Sequence, residues 1–440
     1  MKRRELSFLG AQSLALVIAG LWLTACDSSG QASSGAGSAG GAGGQAEGAG
    51  GQAESGTATT GNTSSVVTTG SSATTGGTGG GTGGTIDPGE GGGGTGGAGG
   101  EDDAPPPREF DNPIIKYDAP DPTSGPGDPI FTADAAAMVW NNKVYLYTGH
   151  DEQAEGASGY RMFDYRLWTS SDMVRWENEG AVMRYDVFSW ARGGESTGNA
   201  NAGQVVHRDD KDGNPKFYFY APVEGGQSGY GISIGVAVAD KPEGPFKDAR
   251  GVPLIFLADT QGTAEHSWRN LDPTVLVDDD GRVYMYWGNG VLYWVELEQD
   301  MIHLKGETYT TDGSGKVQNR SLGSAQIHVL KDIPSYTEAP FLSKHGSLYY
   351  LTYASGFPET ISYATSTSPE GPWQHRGVIL DRVPNSDTIH QSLFDFKGVS
   401  YLTYHNAGLP TGGSYRRSTC VDRAYFNDDG TIKKIVPTHR

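Results

Sequence analysis

The chain has 440 residues, 66 of them glycine, and a formal net charge of −19. Between Asp27 and Gly100 it places 29 glycines in 74 residues and no Phe, Trp or Tyr, so that stretch cannot build a core. About 340 residues remain to fold, with a net charge of −16, and so acidic a domain repels nucleic acid and excludes it as a partner.

The N-terminus reads as an address. Lys2-Arg3-Arg4 precedes the apolar run Leu14–Leu23, which is too short for a typical membrane span. It ends in Leu23-Thr24-Ala25-Cys26, which looks like a bacterial lipoprotein signal. On this reading 1–25 is removed and Cys26 is lipidated, anchoring an extracytoplasmic protein to a membrane. Residues 26–107 then form a flexible Gly/Ser/Thr-rich tether with an r.m.s. span of roughly 45–50 Å. The other cysteine, Cys420, lies in an alternating segment and reads as a small buried hydrophobe rather than half of a disulfide.

From 108 to 440 the pattern is β. Val144–Tyr147, Phe217–Tyr220, Val283–Tyr286, Tyr349–Tyr353 and Ser400–Tyr404 are aromatic, alternating strands, each preceded by a turn signal such as Asn141-Asn142 or Asp279-Asp280-Gly281. Upstream of each lies a further short strand, beginning at Asp134, Asn201, Asp272, Glu338 and His390. Their separations are 67, 71, 66 and 52 residues. Repeats at such spacing predict an all-β, five-bladed β-propeller in which each first strand lines the central channel.

That arrangement gathers the five starting residues into one axial pocket. Three carboxylic acids in a common funnel raise one another's pKa. Hydrolysis by two carboxyls needs such a setting, because one must stay protonated for the leaving group while another stays ionised to activate water.

At these residues the chain resembles glycoside hydrolase family 43, five-bladed propellers acting on arabinose- and xylose-containing plant polysaccharides. The resemblance runs from about Asn112 to the C-terminus. It rests on Phe131-Thr-Ala-Asp134-Ala-Ala, Asp272-Pro-Thr-Val, Tyr336-Thr-Glu338-Ala-Pro, Gly356-Phe-Pro-Glu-Thr-Ile-Ser-Tyr-Ala-Thr-Ser and Tyr415-Arg-Arg-Ser-Thr-Cys-Val-Asp, in this order. It implies Asp134 as general base, Glu338 as general acid and Asp272 as the third acid that tunes and orients Glu338, with inversion at the sugar carbon. It also implies a sugar contact for Arg417, although Arg416 is the alternative inward residue. His390 matches an axial histidine near which many members hold a cation. No cofactor is required on this reading, and a structural calcium whose shell is completed by water is the metal to consider.

Two departures stand out. Ala135 follows the base aspartate where relatives usually have Pro, and Asn201 replaces an aromatic in the second repeat. The second turns a stacking wall into a hydrogen-bonding one. Trp190 and Phe357 are the aromatic candidates for stacking on a sugar. The expected activity is removal of α-L-arabinofuranosyl groups from arabinoxylan or arabinan, plant cell-wall polysaccharides. A β-xylosidase on the same fold and a non-catalytic sugar-binding propeller are the alternatives. The presence of all three acids favours catalysis.

Overall fold

A computed structural model describes residues 110–123, 126–192, 200–226, 230–261 and 266–438. The signal at 1–25, the lipidation at Cys26 and the tether at 26–107 lie outside the described residues.

Five antiparallel sheets follow one another along the chain. Blade I is β1 (Thr132–Trp140), β2 (Lys143–His150), β3 (Asp164–Ser170) and β4 (Glu177–Arg184). Blade II is β5 (Gln204–Asp209), β6 (Pro215–Glu224), β7 (Ile232–Ala239) and β8 (Lys247–Asp248). In blade III, β9 (Thr274–Val277), β10 (Val283–Trp287) and β11 (Leu292–Leu297) are joined by β14 (His328–Leu330). A separate hairpin, β12 (Thr308–Thr311) with β13 (Val317–Ser321), is inserted before that last strand. Blade IV is β15 (Tyr336–His345), β16 (Leu348–Ser355), β17 (Thr360–Ser366) and β18 (Gln374–Leu380). Blade V has three strands, β19 (Ser392–Phe396), β20 (Val399–Asn406) and β21 (Ser418–Ala424). The protein is a five-bladed β-propeller, as the repeat spacing predicts. Among the described residues the helical segments are two short 3-10 turns, Tyr185–Val187 and Leu257–Thr260.

The aromatic second strands explain how the blades hold together. Side chains alternate across a strand, so each of these strands serves two neighbours. In β6, Phe217 and Phe219 pack into the cluster shared with blade I, while Tyr218 and Tyr220 pack into the one shared with blade III. In β10, Val283, Met285 and Trp287 face blade II, and Tyr284 and Tyr286 face blade IV. Further clusters join blade IV to V and blade V to I, so apolar packing runs around the whole ring. Each fully buried large side chain contributes about 1.5–3 kcal/mol to that packing.

Polar side chains link the inner strands. Gln204 accepts from the Val275 amide, Thr274 accepts from Leu342 N–H (3.1 Å), Gln391 donates to the Ala339 carbonyl (2.7 Å), and Ser392 accepts from Ala137 N–H (3.2 Å). The N-terminal segment closes the circle beside β21, where Ile114 N–H donates to Thr419 O and Asn112 binds both backbone groups of Val421. Cys420 is fully buried in β21, as expected for a packing residue.

Candidate active site

The first-strand starts and the second-strand ends share one rim, because the pairs are antiparallel. Thr132 lies opposite His150, and Ser392 lies opposite Thr403. Several of the rim residues take a left-handed backbone. Asp134 (φ 54°), Asp272 (φ 59°) and Ala339 (φ 53°) do so, an unfavourable choice for a side chain with a Cβ. At Asp134 the register of β1 slips between Ala133 and Ala136, and at Glu338 that of β15 slips twice. Such bulges re-aim single side chains, here toward the axis. Gly149, opposite Ala133, keeps space there: a Cβ would stand 3.1 Å from Met162 Sδ and 3.8 Å from Asp134 Oδ2.

Asp134, Asp272 and Glu338 all come to this pocket. Asp134 is buried, and its Oδ1 accepts from Arg417 Nη1 at 2.8 Å. Arg417 is itself clamped by Asp151, through Nε (2.9 Å) and Nη2 (3.0 Å). Its guanidinium lies 4.9 Å from the centre of the Tyr160 ring, which meets Tyr415 edge to face. His405 completes the setting, with Nδ1 at 3.3 Å from Asp134 Oδ1 and Nε2 at 3.0 Å from the Thr388 carbonyl. The same Nδ1 lies 3.4 Å from Asp134 N–H.

Burial alone would raise the pKa of Asp134. The Arg417 charge, the His405 contact and the nearby His390 outweigh it and hold the carboxyl well below the usual range. The other acids go the opposite way. Burial, then Glu338 and Asp134, push Asp272 up, although its Oδ2 accepts from Ala339 N–H at 2.9 Å. Burial likewise raises Glu338, against a hydrogen bond donated by Asn289 Nδ2. The anion is thus favoured at one carboxyl and the protonated form at its neighbours. That separation lets a single pocket activate a nucleophile and protonate a leaving group.

The family model for glycosyl hydrolases family 43 matches residues 126–432. The chain belongs to that family. It is a glycoside hydrolase, and its relatives divide over the sugar released. An arabinoxylan arabinofuranohydrolase from Bacillus subtilis (strain 168) is 29% identical over 337 residues, covering 70% of this chain and 63% of that protein. Xylosidase/arabinosidase 43A from Humicola insolens is 26% identical, covering 70% of this chain and 98% of its own length. Among solved structures, an α-L-arabinofuranosidase from Clostridium thermocellum ATCC 27405 superposes with a TM-score of 0.53 at 32% identity, covering 69% of this chain and 93% of its own.

The remaining predicted residues of this family 43 chain fall in different places. Arg417 points inward. Arg416 lies 4.0 Å over the Phe131 ring and donates to Gln153 O and Thr411 O, which settles the choice between them. Phe357 stands on the rim, 71% exposed. Asn201 is half-buried and donates to the Pro222 carbonyl of its own blade (3.4 Å). In the same motif Gly203 has no room for a side chain, since a Cβ would lie 2.7 Å from Tyr220 O. Trp190 corrects the expectation that it stacks on a sugar. It is 4% exposed and packed against Phe188 and Tyr230, a core residue between blades I and II.

His390 sits between two acids, with Nδ1 3.8 Å from Asp134 and 4.0 Å from Asp272. Burial pushes its pKa down to about 4 despite Asp134, so the ring is neutral at pH 7. Asp134 is already committed to Arg417, and calcium requires six to eight oxygens. As protein ligands these residues do not fit a calcium shell, and no step below passes through a metal. Among the described residues the compact His/acid group is His150, Glu152 and Asp164. There Asp164 and Glu152 override burial and raise His150 to about 9, which makes an ion-paired imidazolium rather than a free ligand.

Several residues at the site carry no signal in the first-strand pattern. Asp151, Asn289 and His405 stand at the ends of second strands, and Glu359 lies in the loop after β16. Trp268 is half-exposed and stacked on His266, whose ring borders Gly290, next to Asn289.

Proposed function

We propose that this protein is an inverting glycosidase that removes α-L-arabinofuranosyl groups from arabinoxylan or related plant polysaccharide. The observation that carries the reading is the contrast in surroundings between two carboxyls of one rim, a guanidinium on Asp134 and a neutral amide on Glu338. Asp134 is held as an anion by Arg417, and Glu338 is raised by burial. Asp134 takes a proton from water as that water attacks the anomeric carbon. Glu338 gives its proton to the departing glycosidic oxygen. Asp272 orients and tunes Glu338 from the next inner strand, through its bond to Ala339 N–H. Preorganised charge of this kind acts strongly in a dry pocket. Phe357 offers an exposed ring beside the pocket for the sugar, and Arg417 fixes the base.

Arabinose is favoured over xylose by the relatives whose names state arabinofuranohydrolase or arabinofuranosidase activity. The names xylosidase/arabinosidase keep xylose release as the second reading. Chromatography of sugars freed from arabinoxylan by the purified protein decides between them. Free arabinose alone is expected. Xylose as the main product would move the assignment to β-xylosidase, and no release of either sugar would remove both.

A localisation on the membrane through Cys26, with the propeller held away by residues 26–107, is part of the same proposal. It rests on the sequence alone. Globomycin-sensitive labelling with a fatty-acid analogue, lost in Cys26→Ala, is the expected result.

A further inference from the structure

Trp268 takes no part in these steps, yet the structure sets it beside the acid. Thr337, the residue before Glu338, is tied to two loops of the rim. Its hydroxyl donates to Gly356 O (2.9 Å), next to Phe357, and its carbonyl accepts from Gly290 N–H (2.7 Å). The loop of Gly288, Asn289 and Gly290 is held further by the Tyr336 hydroxyl, which donates to Gly288 O (2.6 Å), and Asn289 donates to Glu338 itself. The His266 ring borders this loop: a Cβ on Gly290 would lie 3.4 Å from its Nε2. Trp268 stacks on that ring, with centres 4.5 Å apart and planes inclined by 22°.

The segment that carries the stack is fixed from below. Arg269 is buried and commits all three of its nitrogens there: Nε donates to Thr260 Oγ1 (2.9 Å), Nη1 to His266 O (2.7 Å) and Nη2 to Leu257 O (2.7 Å). Asn289 N–H donates to Arg269 O (3.1 Å), which joins this segment to the loop that holds Glu338. The inserted hairpin is a brace, since Arg320 of β13 grips both oxygens of Asp259 (2.7 and 2.8 Å) in the 3-10 turn Leu257–Thr260. Trp268 nevertheless remains 50% exposed. A large aromatic face that is held in place but left uncovered binds a ligand without losing further freedom.

Its place in the pocket decides which part of the substrate it meets. Inversion puts the attacking water and the leaving group on opposite faces of the cleaved sugar. The base therefore lies on one side, and the sugar that receives the proton of Glu338 departs on the other. Trp268 stands with Glu338. Release of arabinose from arabinoxylan and release of xylose from a xylan chain both make that departing group a xylopyranosyl unit. Such a ring carries C–H bonds on its faces and hydroxyls around its edge, and an indole face covers the former while leaving the latter in water. We propose that Trp268 is a specificity-determining residue that stacks on the xylopyranosyl unit of the leaving group. The proposal rests on the assignment of Glu338 as the acid.

The test compares wild type, Trp268→Ala and Trp268→Phe on an arabinoxylan oligosaccharide and on methyl α-L-arabinofuranoside. The methyl glycoside keeps the sugar in the pocket and reduces the leaving group to methanol. Trp268→Ala should raise KM for the oligosaccharide about tenfold while kcat is kept, the pattern of a binding contact equal in ground and transition states. On the methyl glycoside kcat/KM should stay within about twofold of wild type. Trp268→Phe keeps an aromatic face and should recover most of the loss. Equal losses on both substrates would mean that Trp268 acts through the pocket or through stability, and would overturn the proposal. So would an unchanged KM for the oligosaccharide, or a Phe variant as impaired as the Ala variant.

A second readout stands apart from turnover. Titration calorimetry with xylohexaose on Glu338→Gln, which has no proton to give a leaving group, should show binding that weakens about tenfold when Trp268→Ala is added. Absence of binding to Glu338→Gln, or the same affinity with and without the indole, overturns the proposal. The underlying reading fails in a different way. If Glu338→Gln keeps the wild-type kcat on the oligosaccharide, Glu338 is not the acid, and the leaving-group side on which the proposal stands is lost with it.

Discussion

Asp134 and Glu338 are both carboxyls on inner strands, the first buried and the second half-buried, and their difference comes from what each touches. Asp134 has a guanidinium at 2.8 Å; Glu338 has a neutral amide. Arg417 does this because its fork spans two acids at once, Asp134 on one side and Asp151 on the other. Lysine has one point charge and cannot bridge both. In Arg417→Lys the Asp134 carboxylate therefore loses part of its stabilisation, and its pKa rises toward the ordinary value. A base works only when ionised, so activity disappears as pH falls through that pKa. The acid limb of kcat/KM should then move upward by about one pH unit or more. Measurement of the pH profile on the aryl glycoside isolates this limb, and an unmoved one would show that Arg417 is not what holds Asp134 as the anion.

At the scale of elements, the five first strands are readable because a chemically distinctive residue lies within three positions of each strand's start, ahead of an aromatic strand. The far ends of the second strands were not read, although antiparallel pairing puts them at the same rim. Asp151, Asn289 and His405 are all there. His390 and His405, opposite by extension of the β19–β20 register, are one such pair. The inserted hairpin β12–β13 also escaped, since the mostly exposed Thr308–Thr311 and Val317–Ser321 lack the aromatic alternation of the blades. Trp190 and Phe357 show why residue type alone does not separate a binding surface from packing. Both are aromatic and lie near loops, yet one is 4% and the other 71% exposed. Trp190→Ala should cost about 3–5 kcal/mol of stability through the cavity it leaves. Phe357→Ala should leave stability within about 0.5 kcal/mol and weaken substrate binding. Denaturant melts paired with KM values check both, and a stable Trp190→Ala with raised KM would restore Trp190 to the pocket.

For the molecule as a whole, function depends on a ring that must close. The apolar clusters join each blade to the next, and the inner strands are linked by side-chain hydrogen bonds to the neighbouring backbone. Blade V has one strand fewer than blade I, and residues at the beginning of the described chain cover its last strand. Asn112 does most of this polar closure. Its amide donates to Val421 O (2.8 Å) and Thr438 (2.9 Å) and accepts from Val421 N–H (2.9 Å), bridging 309 residues of sequence. The strand it holds begins one residue after Arg417. Closure and catalysis are therefore joined through β21: a blade V that opens would carry Arg417 away from Asp134. Removing a buried partner costs about 1–3 kcal/mol for each group left unpaired. Asn112→Ala should accordingly lower Tm by several degrees and speed amide hydrogen exchange over 418–424, while exchange in blade III stays as in the wild type. The acid limb of the pH profile should move up as the protein nears its melting range, since transient loss of Arg417 frees Asp134 to take a proton. Unchanged exchange over 418–424 would mean that the apolar contacts of Phe110, Ile114 and Ile115 close the ring without Asn112.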